Sequence, residues 1–74
     1  MDRTRKAGLH QRRLGQNIRR FRRDADLTQI ELASEVGMSQ PTLSDLERGA
    51  RDVRTEQLAQ IARALGVSLQ DLVD

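Results

Sequence analysis

Apolar residues along this 74-residue chain recur at helical spacing, and nowhere alternate as a strand would. Leu14, Ile18 and Phe21 fall at i, i+4 and i+7, marking the buried stripe of a first helix that begins near residue 12. The pattern ends it near Asp24 to Asp26, where Asp26 tolerates a left-handed backbone better than most residues. A second helix starts from Thr28, with Glu31 as its capping-box partner and Leu27 and Leu32 as a hydrophobic staple. Leu32, Ala33 and Val36 continue its inner face, and Gly37 stops it. Ser39, Met38 and Leu43 repeat the device for a third helix, with Leu46 extending the stripe. Pro41 falls in its first turn, where a missing N–H has no intrahelical partner to lose.

Gly49 ends the third helix, and "ARDVR" is a loop. Thr55 then opens a fourth helix with Leu58, Ile61, Ala62 and Leu65 inward and Gly66 at its close. Ser68 with Asp71, flanked by Val67 and Leu72, starts a short fifth helix. Residues 1–11, "MDRTRKAGLHQ", show no such period and contain Gly8, so they read as an arm. The expectation is all-α: a compact five-helix domain over residues 12–74, preceded by a flexible basic arm over residues 1–11.

Charge changes the picture because it is unevenly placed. Residues 1–23 carry a net +8 and residues 24–74 a net −6, within an overall +2. Such asymmetry points to a polyanion meeting one edge of the domain, with a solvated tail as the plainer alternative for the arm. With one Phe and no Trp or Tyr, the chain lacks the stacking platforms of single-strand readers, which favours a duplex over RNA. The absence of cysteine suits a reducing cytoplasm, and no apolar run is long enough for a membrane span. His10 stands alone, the carboxylates fall at caps and outer faces, and no phosphate loop or metal-ligand spacing occurs. The expectation is therefore no enzyme, no metal and no cofactor.

Helix, short Gly-containing turn, helix is the unit whose second helix enters a DNA major groove, although it also serves as plain packing. On residues 40–48, Leu43 and Leu46 point inward, with Glu47 beside them, and Gln40, Thr42, Ser44, Asp45 and Arg48 fall at the outside or flanks. The Gln40 amide matches the N6/N7 edge of adenine. Thr42 and Ser44 suit phosphate, a base edge or a thymine methyl. The Asp45 carboxylate matches cytosine N4, or else repels wrong DNA.

The stretch "LGQNIRRFRRDADLTQIELASEVGMSQPTLSDLERG" followed by "LAQIARALGVSLQDL" resembles the Cro/C1-type (XRE) helix-turn-helix domain. That family includes lambdoid phage repressors, Cro proteins and restriction-modification controller proteins. The resemblance covers residues 14–73 and implies a lambda-repressor-like domain that binds DNA as a homodimer through its third helix. It implies that Gln29 bonds a phosphate and braces the recognition glutamine, Gln40, and that Thr42, Ser44 and Asp45 vary with the operator. Pro41 and Asp45 stand where the best-known phage repressors have glutamines, so their operator does not transfer. Arg22 and Glu47 match a structural ion pair, and Arg51 and Arg54 a loop that approaches the DNA backbone. Asp26 stands where glycine is usual.

The resulting expectation is a cytoplasmic, nucleoid-associated regulator acting as a repressor or controller on a palindromic double-stranded operator. Gln40, Thr42, Ser44 and Asp45 read bases, and Gln29, Ser39, Arg48, Arg51 and Arg54 hold the backbone. Arg3, Arg5, Lys6, Arg12 and Arg13 supply arm contacts, and Val67, Leu69, Leu72 and Val73 are candidates for the dimer contact or, equally, for core. The rival is an antitoxin or adapter that uses the same fold to hold a partner protein.

Overall fold

The computed structural model describes the backbone of residues 2–74 and the side chains from Gln11 onward. Five helices follow one another: α1 (Asp2–Asp24), α2 (Gln29–Glu35), α3 (Gln40–Glu47), α4 (Thr55–Leu65) and α5 (Leu69–Val73). No strand occurs among the described residues.

The caps form where the sequence places them. Thr28 Oγ1 accepts from the Glu31 N–H at 3.0 Å, and Glu31 Oε1 accepts from the Thr28 N–H at 2.8 Å. Ser39 Oγ accepts from the Thr42 N–H at 3.2 Å, and Ser68 Oγ from the Asp71 N–H at 3.1 Å. Helix α4 differs slightly: Thr55 is already helical, and the cap residue is Arg54, whose N–H donates to Gln57 Oε1. Gly37 (φ 70°) and Asp26 (φ 60°) make the left-handed steps that end α2 and follow α1.

One boundary is corrected. Helix α1 begins at Asp2, not near residue 12, so the backbone shows no break between arm and domain. The sequence of residues 2–11 has no apolar period, but Arg, Lys, Ala, Leu and Gln are strong helix formers, and Gly8 costs only about 1 kcal/mol against Ala. A helix already nucleated in the domain extends without needing a core contact at every turn. The side chains of Arg3, Arg5, Lys6 and His10 lie outside the described residues.

Ile18, Leu32, Leu43, Ile61 and Leu72 are fully buried, and Ala33, Leu46 and Ala62 complete the core. Leu14, Phe21, Val36, Leu58 and Leu65, the rest of the expected stripes, pack around it. Truncating one fully buried leucine costs roughly 2–5 kcal/mol, a large part of what so small a domain has.

Helix α1 is the platform, packing on α3 at one side and α5 at the other. Its contact with α3 depends on Gly15, where an added Cβ would lie 2.3 Å from the Leu46 carbonyl oxygen and 2.6 Å from that of Glu47. At the other side, Asn17 Nδ2 donates to the Leu72 carbonyl and Arg13 Nε to that of Asp74, each at 2.8 Å. These contacts hold α3 and α5 on a common base.

Candidate nucleic-acid interface

The α2–α3 pair is joined by residues 36–39 and places two first turns side by side. Gln29 opens α2 and Gln40 opens α3, and their amides meet: Gln40 Nε2 donates to Gln29 Oε1 at 2.8 Å. Gln29 Nε2 in turn donates to Glu47 Oε1 at 3.0 Å. Glu47 comes from the last turn of α3 and is 5% exposed, yet it carries a full charge partner. Arg22 of α1, 8% exposed, donates through Nε to Glu47 Oε2 at 2.6 Å and through Nη2 to Oε1 at 3.0 Å. Its Nη1 donates to the Leu27 carbonyl at 2.8 Å.

The fork-to-fork geometry makes both hydrogen bonds charge-assisted. It also satisfies the burial rule for charges, since among the described residues no buried polar side-chain atom lacks a partner. The chain of contacts runs without a gap from the buried guanidinium, through Glu47 and Gln29, to the exposed Gln40. The family resemblance pairs Arg22 with Glu47 and Gln29 with Gln40. The bond joining the two pairs is visible only in the folded structure.

Other expected site residues are placed as follows. Pro41 is exposed in the first turn of α3, as its chemistry allows. Ser39 and Thr42 share a hydroxyl–hydroxyl hydrogen bond of 2.8 Å, so the Thr42 hydroxyl is occupied within the cap. Ser44 is half-buried on the flank of α3. Asp45 does not stand as a bare acid on this face. It pairs with Arg48, three residues on, and lies 3.8 Å from Arg51 Nη2. Two guanidiniums thus offset its charge where a polyanion would otherwise be repelled. Both arginines remain more than half exposed, and Arg54 is exposed as well. That arginine pairing was not foreseen, although the i, i+3 spacing of Asp45 and Arg48 carries the signal.

Arg12 is exposed, and its backbone abuts Gly49, where an added Cβ would be 2.7 Å from the Arg12 Cα. Arg13 is tied to Asp74 at the α5 end, which is a structural engagement absent from its expected arm role. A stripe of Gln16, Arg19, Arg20, Arg23 and Asp24 lines an open groove on α1, and Arg20 lies 5.0 Å above the Phe21 ring. Of the four candidates for a dimer contact, Leu72 is fully buried and Val67 packs against the core. Of the two readings open for Leu72, dimer contact or core, the structure gives the core, where it is the staple partner of α5. Leu69 and Val73 are 40% and 53% exposed. Among the described residues, no group of three or more His, Cys, Asp or Glu side chains gathers as a metal site. None of their helices is long and apolar enough to cross a membrane.

Five helices, α2 to α5 each with a defined N-cap, with α3 held on α2 and a braced glutamine at its tip, define a helix-turn-helix domain. The Helix-turn-helix family model matches residues 18–72, and the chain belongs to this family in its Cro/C1-type branch. It is similar to the uncharacterised HTH-type transcriptional regulator y4dJ of Sinorhizobium fredii, 47% identical over 60 residues, covering 81% of this chain and 78% of that one. Control protein C.BamHI of Bacillus amyloliquefaciens is 38% identical over 61 residues, covering 81% and 75%. Antitoxin PezA of Streptococcus pneumoniae is 42% identical over 60 residues, but the chain spans only 38% of its length. Among solved structures, the biofilm master regulator SinR in complex with DNA superposes with a TM-score of 0.78. It is 29% identical, over 82% of this chain and 98% of that one. The chain is a DNA-binding transcriptional regulator of the helix-turn-helix class.

Proposed function

We propose that this regulator binds a palindromic duplex operator as a homodimer, one α3 in each of two major grooves, with half-sites about 34 Å apart. The observation that carries the reading is the Gln40 amide, held at the exposed tip of α3 by Gln29. A braced amide is the group that pairs bidentately with adenine N6 and N7. Ser44 and Asp45 read neighbouring base edges, and Thr42 offers its methyl to thymine while its hydroxyl serves the cap. Gln29, Ser39, Arg48, Arg51 and Arg54 bond phosphates and set the register. Arg12 and, further along α1, Arg3, Arg5 and Lys6 add electrostatic attraction. Leu69 and Val73 form the apolar centre of the dimer contact, because they remain exposed when α5 packs on α1. Repression or control follows from occupancy of the operator in the bacterial cytoplasm, on the nucleoid. No catalytic role is assigned to any residue.

The antitoxin or adapter reading draws on the similarity to PezA. It predicts tight binding to a partner protein with no preference among duplexes. The test is Gln40→Ala against specific and random duplex DNA. The variant should lose roughly 1–3 kcal/mol on the specific site and relax one base preference. Equal weakening on both DNAs would remove Gln40 as a base reader.

A further inference from the structure

A primary amide on a recognition helix is ambiguous, because its two ends differ only in whether they donate or accept. Turning it over exchanges the pattern it offers a base edge. The contacts behind Gln40 remove that ambiguity in three steps. The Glu47 carboxylate only accepts, and two Arg22 donors hold it at 2.6 and 3.0 Å in a site where Glu47 is 5% exposed. Gln29 can therefore meet Glu47 only with its NH2 group, at 3.0 Å, which turns Gln29 Oε1 outward. That oxygen also only accepts, so Gln40 meets it with Nε2, at 2.8 Å. One amide proton and Oε1 of Gln40 are then presented to the groove in a single order. The overturned amide would set two carbonyl oxygens against each other and forfeit the hydrogen bond.

We propose that the buried Arg22–Glu47 pair is a specificity-determining element: through Gln29 it fixes the donor–acceptor polarity of Gln40, and so selects the adenine edge over bases that put an acceptor, guanine O6 or thymine O4, where adenine has its N6 donor. This rests on the reading of Gln40 as a base reader. Arg22 and Glu47 touch no DNA in it; they are positioning residues. The consequence is a separation of discrimination from affinity. An amide released from the relay still finds the correct orientation about half the time, so binding to the best site weakens only about twofold. A base with an acceptor at that place, however, is no longer held off by a fixed carbonyl oxygen, and discrimination at that one position falls.

The test measures duplex binding of the intact chain to the best site and to sites altered at the Gln40 position. The variants are Arg22→Met with Glu47→Leu, Gln29→Met and Gln40→Ala, each checked for folding by thermal denaturation. The paired apolar replacement leaves no stranded charge and keeps the fold. Gln29→Met, at the half-exposed first residue of α2, breaks the relay while leaving the ion pair whole; it also removes a phosphate contact, which weakens every duplex alike, so this variant is read by its base preference and not by its affinity. Wild type should discriminate roughly 5- to 150-fold at that position, the span of one bidentate amide–base pair. Both relay variants should lose roughly 2- to 12-fold of that discrimination, the worth of the Gln29–Gln40 hydrogen bond, with preferences at every other position unchanged. Should either folded relay variant keep the wild-type preference, the proposal is overturned. Should Gln40→Ala also keep it, the reading of Gln40 itself fails, which separates the two failures.

Discussion

Gly15→Ala sets two physical effects against each other, and the structure decides the sign. By helix propensity alone the substitution should help, since Ala in a helix interior is favoured over Gly by roughly 0.5–1 kcal/mol. The added methyl, however, would lie 2.3 Å from one backbone carbonyl oxygen and 2.6 Å from the next, against an ordinary contact of 3.4 Å or more. Both oxygens belong to the last turn of α3, so no flexible side chain can swing away. Relief requires α1 and α3 to separate by about an ångström, and the Arg22–Glu47 pair that spans them has hydrogen bonds of only 2.6 and 3.0 Å. Overpacking typically costs 1–3 kcal/mol, and here a buried charge pair is stretched as well. The net expectation is a loss of about 2 kcal/mol after the propensity gain. In a domain of this size that lowers Tm by roughly 8–16 °C. Urea unfolding followed by circular dichroism measures it, with the slope unchanged and the midpoint lowered. A variant as stable as wild type, or more so, would refute the close approach of α1 to α3.

The buried ion pair should behave asymmetrically: Glu47→Leu or Arg22→Met alone should cost about 3–5 kcal/mol, whereas the two together should be near neutral. Chemical denaturation of the four proteins gives the coupling directly, and additive losses would rule it out. Asp26→Gly should gain up to about 1 kcal/mol by relieving the left-handed step at φ 60°, read as a raised urea midpoint. A lowered midpoint would mean that the aspartate side chain contributes more there than the backbone loses. Replacing Arg3, Arg5 and Lys6 with Gln should shallow the slope of log affinity for duplex DNA against log salt by up to about 2.7. An unchanged slope would leave those residues without phosphate contacts.

Much of the fold was legible because helix starts and stops are local chemistry. Thr28 with Glu31, Ser39 with Pro41, and Ser68 with Asp71 each need only a few neighbouring residues, and each cap formed where the pattern put it. The start of α1 was misplaced for a related reason: apolar periodicity is the signal of a helix, and Asp2–Gln11 is helical without an apolar period in its sequence to announce it. Gly15 carries no local signal at all. Its need for a bare Cα arises from Leu46 and Glu47, more than thirty residues away. Leu72 was ambiguous because a five-residue helix is too short for periodicity to separate core from interface; the structure puts it at 0% exposure. In the site, the family resemblance implied each pair of the relay separately, but the Gln29–Glu47 bond joining them depends on the angle at which α2 crosses α3. The pairing of Asp45 with Arg48 and Arg51 offers a third role for an acid first read as a cytosine reader or a repellent. It holds two arginines on the face proposed to meet DNA.

The central claim is that α3 selects a duplex sequence, and selection of binding sites from random double-stranded DNA tests it most directly. The account predicts an enriched palindrome whose half-sites lie about 10 base pairs apart, with one position in each that loses its preference in Gln40→Ala. Enrichment without symmetry, or a pool left random by a folded protein, would contradict it.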